Sequence, residues 1–204
     1  YGGRAVVLRV CPALERGKFV CQLGTSCPAT ALAAAQKVEK DVAAIDVNMG
    51  CPKAFSVQGG MGAALLSTPE LAEAIIANLA ANLSVPVSAK IRLLPGPLGG
   101  GNDDDDDDLA GVDLSATIAF AKRLVSAGAS AITVHCRLPH DRSEKRPARW
   151  RAFNPIATAL HPTPVMLNGD VYEPHSEQLR GLMAMPPTTV ATVAGGGGGG
   201  GGGG

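Results

Sequence analysis

The chain has 204 residues, enough for one sizeable core and so for one domain or part of one, and aromatics supply only 3% of it, so that core must be built from Ala, Val, Leu and Ile. Eighteen basic side chains balance eighteen acidic ones, which excludes a polyanion binder that works by bulk charge and leaves local patches as the only source of nucleic-acid affinity. No apolar run approaches a membrane span, Tyr1 to Val10 lacks the pattern of a signal peptide, and the cysteines at 11, 21, 27, 51 and 136 show neither a CxxC pair nor zinc spacing.

A reduced, cytoplasmic chain is therefore expected, without metal or membrane partner and acting as a monomer; the nucleus or an organelle stays open. The absence of a starting Met points to an incomplete N-terminus.

Ala5 to Val10 is β-like but isolated, and reads as a hairpin arm or peripheral strand. Phe19 to Leu23 reads as a strand, Pro28 to Asp41 as an Ala-rich helix with Pro28 in its first turn, and Ala43 to Asn48 as the next strand. Gly59, Gly60 and Gly62 then mark a close approach of backbone. Pro69 to Leu83 reads as a helix capped by Ser67 or Thr68, with Glu70 and Glu73 near its start. Val87 to Arg92 is a strand, Leu114 to Ala127 a helix ending at Gly128, and Ala131 to His135 a strand. Asn154-Pro155 opens a short helix, followed by a strand from Pro164 to Asn168, a helix from Ser176 to Met183 and a last strand from Thr188 to Val193.

Six β/α steps in strict order mean a parallel sheet, doubly wound or closed as a barrel. The first βα turn, Gln22-Leu23-Gly24-Thr25-Ser26, is no dinucleotide fingerprint. Polar residues decide for the barrel: Gln22, Asn48, Lys90 with Arg92, His135 with Arg137, and Asn168 each fall at or just past the C-terminal end of a different strand. In a (β/α)8 TIM barrel those ends share the face that carries the active site. Such a barrel typically takes about 250 residues and eight strands, so the expected fold is an incomplete barrel over residues 1–194, its first strand and C-terminal end missing.

Two tracts interrupt the pattern. Asp103 to Asp108 lies in a Pro/Gly-rich insertion spanning residues 95–113, where adjacent carboxylates repel into a solvated loop, and the spacing is not that of an EF-hand calcium site. Gly195 to Gly204 reads as a disordered tail.

Cys51 follows its strand inside Asn48-Met49-Gly50-Cys51-Pro52, a turn that holds the sulfur over a site. No His-Asn/Asp pattern marks a protease-type nucleophile, whereas a proton donor needs only the thiol. Lys90 is charged where burial is expected, as a Schiff-base lysine or a fixed charge beside an anionic cofactor ring. His135 with Arg137 suits a phosphate, and the amides of Gln22 and Asn168 suit the edge of a heterocycle. Arg137 to Arg151 is rich in cations (Arg142, Lys145, Arg146, Arg149 and Arg151 among them), and because it follows a site-bearing strand, an extended phosphate backbone is a candidate partner.

Val47 to Lys53 (VNMGCPK) followed by Gly59 to Leu66 (GGMGAALL) closely resembles the tRNA-dihydrouridine synthases, in particular the eukaryotic tRNA-dihydrouridine(20) synthases of NAD(P)+ type. Gln22-Leu23-Gly24-Thr25, Ala44 to Val47, Lys90-Ile91-Arg92, Val134 to Arg137 and Asn168-Gly169 support it in the same order, over roughly residues 5–175.

The resemblance implies an FMN-bearing barrel that reduces the C5–C6 bond of a tRNA D-loop uridine, with NADPH or NADH as reductant. It implies Cys51 as proton donor to C5, Gln22 and Lys90 on the flavin's pyrimidine edge, His135 and Asn168-Gly169-Asp170 at its ribityl and phosphate end, and Asn48 orienting base or flavin. Arg92, Arg137, Arg142, Lys145 and Arg146 are the expected tRNA contacts. Cys136 and Asp170 stand where the family has glycines, the family's Pro-Met-Val first-strand motif is absent, glycines follow Ala194, and no C-terminal RNA-binding domain is present. Two other functions compete: a barrel flavoprotein acting on a small pyrimidine or enone, and a catalytically impaired tRNA-binding fragment.

Overall fold

The computed structural model describes residues 6, 8–96, 109–141, 146–172 and 177–184. A short helix α1 (Pro12–Glu15) precedes β1 (Val20–Leu23), α2 (Pro28–Val38), β2 (Ala44–Met49), α3 (Ala54–Gln58), α4 (Pro69–Asn82), β3 (Val87–Arg92), α5 (Leu114–Ser126), β4 (Ala131–His135), α6 (Phe153–Leu160), β5 (Val165–Asn168) and α7 (Glu177–Ala184).

All four strand pairings are parallel and the sheet order is β1-β2-β3-β4-β5. A doubly wound sheet reverses direction at a switch point. This one never does, and right-handed crossovers advancing one way put every helix on the same side. The fold is thus an incomplete (β/α) barrel with five described units.

Strand residues alternate accordingly. Ile45, Val47, Met49, Ala89, Ile91, Ile132 and Val134 are fully buried on the helix side, beneath α2, α4, α5 and α6. The opposite face carries Gln22, Asp46, Asn48, Ser88, Lys90, Arg92, Thr133, His135 and Asn168. That polar inner face marks the candidate site, because a buried parallel sheet is ordinarily apolar on both sides.

Several elements differ from the sequence reading. Of Ala5 to Val10, the described residues Val6 and 8–10 form no strand, and the first element is α1, which Pro12 opens as its first residue. The helix from Pro28 ends at Val38 and tightens into a 3-10 turn, Glu39–Asp41. The glycine-rich stretch holds α3 and a second 3-10 turn, Gly62–Ser67. Thr68 is the N-cap residue of α4, but its side chain makes no capping bond: the hydroxyl donates back to the Ala64 carbonyl at 3.3 Å. A missing cap costs about 1 kcal/mol. Burial of Ile75, Ile76 and Leu79, each fully enclosed, contributes about 1.5–3 kcal/mol per side chain and outweighs it.

The base of the 95–113 insertion is tied, with Pro95 bridging Val112, Gly96 N–H donating to Gly111 O at 2.9 Å, and Asp113 N–H to Leu94 O at 2.9 Å. The aspartate run, Thr188 to Val193 and the glycine run lie outside the described residues. No described helix is long and apolar enough to cross a membrane.

Candidate active site

Register brings the site residues side by side. Gln22 pairs with Asp46, Asp46 with Ser88, Asn48 with Lys90, Arg92 with His135, and His135 with Asn168. With period 2 along each strand and this register across them, Gln22, Asn48, Lys90, Arg92, His135 and Asn168 share the inner face toward the C-terminal ends. Deeper on that face, Val20, Gln22, Asp46, Ser88, Thr133 and Met166 line a concavity of about 420 Å³.

Cys51 follows β2 on a turn built by Asn48. The Asn48 side-chain oxygen accepts from Gly50 N–H at 3.1 Å and Cys51 N–H at 3.0 Å, the local arrangement that makes asparagine a turn former. From the other side, Cys51 O accepts from Ala63 N–H at 2.9 Å. Gly62 makes that approach possible: its φ is +60°, and a Cβ there would lie 2.6 Å from Cys51 O and 2.5 Å from Ser56 Oγ. The glycines and the cysteine form one device.

Lys90 is half-buried, and among the described residues its ammonium has no hydrogen-bond partner. Burial first, then the charge of Arg92, pushes its pKa down, while Asp46 and Cys51 oppose the shift. Cys51 follows the end of β2, where Asn48 pairs with Lys90, and a Cβ on the neighbouring Gly50 would lie 3.2 Å from Arg92 Cγ. Arg92 itself donates to Leu138 O at 2.9 Å.

His135 is held neutral. Burial, then Arg92, Lys90 and Arg137, push its pKa down to about 4, against a smaller upward pull from Asp170. Arg137 Nη1 lies 3.2 Å from His135 Nε2. Guanidinium can only donate, so Nε2 accepts and the ring proton sits on Nδ1. Gly169, with φ +102°, lies flat against the ring: a Cβ there would be 2.8 Å from His135 Cδ2. Trp150 Nε1 donates to Gly169 O at 2.7 Å and fixes the turn.

Arg137 departs from its expected role. Its side chain is 5% exposed and points into the protein, donating to both oxygens of Asp170 at 2.5 and 2.6 Å and to Arg146 O at 2.9 Å. Asp170 also accepts from Ala148 N–H at 2.7 Å, so this carboxylate is spent on a structural pair. Its φ of +57° accounts for the glycine usual there, since the left-handed region suits glycine and tolerates aspartate.

Arg149 is likewise buried, against Asp141. The cationic segment is thus not one solvated face. Arg146 is partly exposed and Arg142 and Lys145 lie outside the described residues.

Asp46 and Ser88 escaped the sequence reading as site residues. Asp46 is 7% exposed, accepts from Ser88 Oγ at 2.6 Å, and accepts from Gln22 Nε2 at 2.7 Å. A carboxylate inside an otherwise apolar strand (Ala44-Ile45-Asp46-Val47) was the available signal.

A model of the family described as "Dihydrouridine synthase (Dus)" matches residues 3–185. The chain belongs to the dihydrouridine synthase family. It is 40% identical over 146 residues to the tRNA-dihydrouridine(20) synthase, NAD(P)+ type, of Saccharomyces cerevisiae, covering 70% of this chain and 34% of that protein. The corresponding Schizosaccharomyces pombe protein is 33% identical over 171 residues, covering 81% of this chain and 32% of the relative. A probable tRNA-dihydrouridine synthase 1 of Synechocystis is 35% identical over 140 residues, with 68% and 35% covered. The chain therefore spans about a third of the length of these dihydrouridine synthases, and the family match over residues 3–185 includes Cys51 and the inner-face residues described above.

Proposed function

We propose that this chain is the flavin-holding barrel portion of a tRNA-dihydrouridine synthase, an NAD(P)H-driven reductase of uridine in the tRNA D-loop, acting in the cytoplasm with FMN as cofactor. What supports the reading is family membership, together with Lys90 and His135 near the C-terminal ends of neighbouring inner-face strands and the Cys51 turn directly following β2.

The inner face fits a flavin. Lys90 offers a cation not consumed by a local carboxylate, suited to the electron-rich edge of a reduced ring. Gln22 keeps one amide hydrogen and one lone pair for a pyrimidine edge, and His135 presents Nδ1–H as a donor. Asn168 and Gly169 would hold the ribityl and phosphate groups. Asp170 acts there indirectly, by holding Arg137.

A reduced flavin bound here would supply hydride, a hydrogen with its electron pair, for C6 of uracil. Cys51 Sγ–H gives its proton to C5, and the thiolate left behind recovers a proton from water. Asn48, with its remaining capacity, orients the base. Arg92 and Arg146, together with Arg142 and Lys145, are the proposed cations for tRNA phosphates.

The test is NAD(P)H-driven dihydrouridine formation in an unmodified tRNA by the flavin-loaded chain and its Cys51→Ala variant. Loss of a positioned proton donor predicts a rate reduced about 10²-fold or more with the yellow cofactor retained. A variant as fast as the parent overturns the assignment of Cys51. A parent that binds tRNA but no flavin supports the impaired-fragment reading, which the commitment of Arg137 to Asp170 favours.

A further inference from the structure

We infer that Asp46 is the positioning residue of the Cys51 turn, acting through a polarity relay that runs Asp46, Gln22, Asn48, Cys51. The inference builds on the reading of Cys51 as the reactive group, but concerns the turn itself.

The relay is read from donors and acceptors. Asp46 accepts at both carboxylate oxygens, from Ser88 Oγ at 2.6 Å and Gln22 Nε2 at 2.7 Å. Gln22 therefore shows its NH2 to Asp46 and its oxygen to Asn48, whose Nδ2 donates to Gln22 Oε1 at 2.9 Å. That leaves the Asn48 oxygen for Gly50 N–H and Cys51 N–H. An amide flipped at either step would set NH2 against NH2, or NH2 against backbone N–H. Both amides are held to one sense, by an acceptor at the β2–β3 end and two backbone donors at the turn.

Asp46 is the suitable terminus because it is buried and anchored. It is 7% exposed and Ser88 8% exposed, both in central strands, whereas Gln22 and Asn48 lie nearer solvent. Without the carboxylate, Gln22 is free to rotate, Asn48 loses the partner that fixes its sense, and the turn carrying the thiol loosens.

The chain's own cysteines provide the readout. Cys51 is partly exposed, Cys11 and Cys27 are exposed, and Cys21 and Cys136 are buried. Iodoacetamide labelling of the flavin-free chain, followed peptide by peptide by mass spectrometry, reports the Cys51 turn separately from global unfolding. Asp46→Leu and the charge-neutral Gln22→Met should each label Cys51 about fivefold faster, the change expected from one ordinary hydrogen bond, with Cys21 and Cys136 still protected. Asp46→Asn should label at the parent rate, because its oxygen still accepts from Gln22 and its NH2 can donate to Ser88.

In an Asn48→Ala background, Asp46→Leu should add nothing further. If Asp46→Leu exposes Cys21 and Cys136, Gln22→Met alone decides. Parent-rate labelling in Gln22→Met overturns the relay, as does an Asp46→Asn rate equal to that of Asp46→Leu, which would make the effect one of charge. Neither arm needs tRNA or reductant, so failure here is distinct from failure of the proposed reaction.

Discussion

Arg137 and Asp170 lie 33 positions apart in sequence, yet the guanidinium grips both carboxylate oxygens at 2.5 and 2.6 Å, tying the turn after β5 to the loop after β4. This clamp holds Gly169 against His135 and shapes one end of the inner face.

Asp170→Ala leaves a guanidinium buried without its counter-charge. Because the Asp170 side chain is about a fifth exposed, the expected loss is about 2–3 kcal/mol, below the range for a fully buried pair. Arg137→Met combined with Asp170→Ala should recover much of it, as an apolar replacement removes the stranded charge. Urea unfolding of Asp170→Ala, Arg137→Met and the double variant checks this, and additive losses in the double variant would refute it.

Gly62→Ala adds a Cβ 2.5 Å from Ser56 Oγ and 2.6 Å from Cys51 O at a backbone φ of +60°. Left-handed backbone alone costs an alanine about 1–2 kcal/mol, and the clash adds to it. Gly181→Ala in α7, where a Cβ meets nothing within 4 Å, should be neutral or stabilise by about 0.5–1 kcal/mol. Thermal unfolding of the pair separates a demanded glycine from an incidental one.

His135 keeps a neutral ring down to about pH 4. Its folded pKa lies below the value of about 6.5 for an unfolded chain, so the unfolded state takes up the proton first as pH falls. The stability this group contributes is complete above about pH 6.5 and is lost as pH falls toward 4. His135→Gln should therefore flatten the stability difference between pH 7 and pH 5. An imidazole resonance with a midpoint near 4, absent from that variant, is the direct check.

Asp113 caps α5 by accepting from Ala116 N–H at 2.7 Å. Asp113→Ala should cost about 1 kcal/mol. Since Asp113 N–H also closes the base of the insertion on Leu94 O, amide exchange at Gly96 and Asp113 should rise most.

Lys90→Met sets stability against function. Removing a half-buried, unpartnered ammonium should raise the stability of the flavin-free chain by about 0.5–1 kcal/mol, while flavin retention falls about tenfold. Lys90→Arg should retain more flavin than Lys90→Met. Equal affinity in both variants, measured by fluorescence quenching, would exclude a charge role for this position.

The sequence by itself determined the β/α alternation, the bounds of β3 and β4, the turn that carries Cys51, and the polar positions of the inner face. Those are local properties: apolar runs of strand length, proline at helix starts, and glycine where backbone must pass closely. Only the tertiary structure decided how those side chains are used. Arg137, read as a phosphate contact, is committed to Asp170, and Asp46, which drew no attention as a site residue, terminates the relay behind Cys51. Their partners stand 24 to 42 positions away. Periodicity says which face a residue takes, but the inter-strand register and the loop crossings set which donor meets which acceptor.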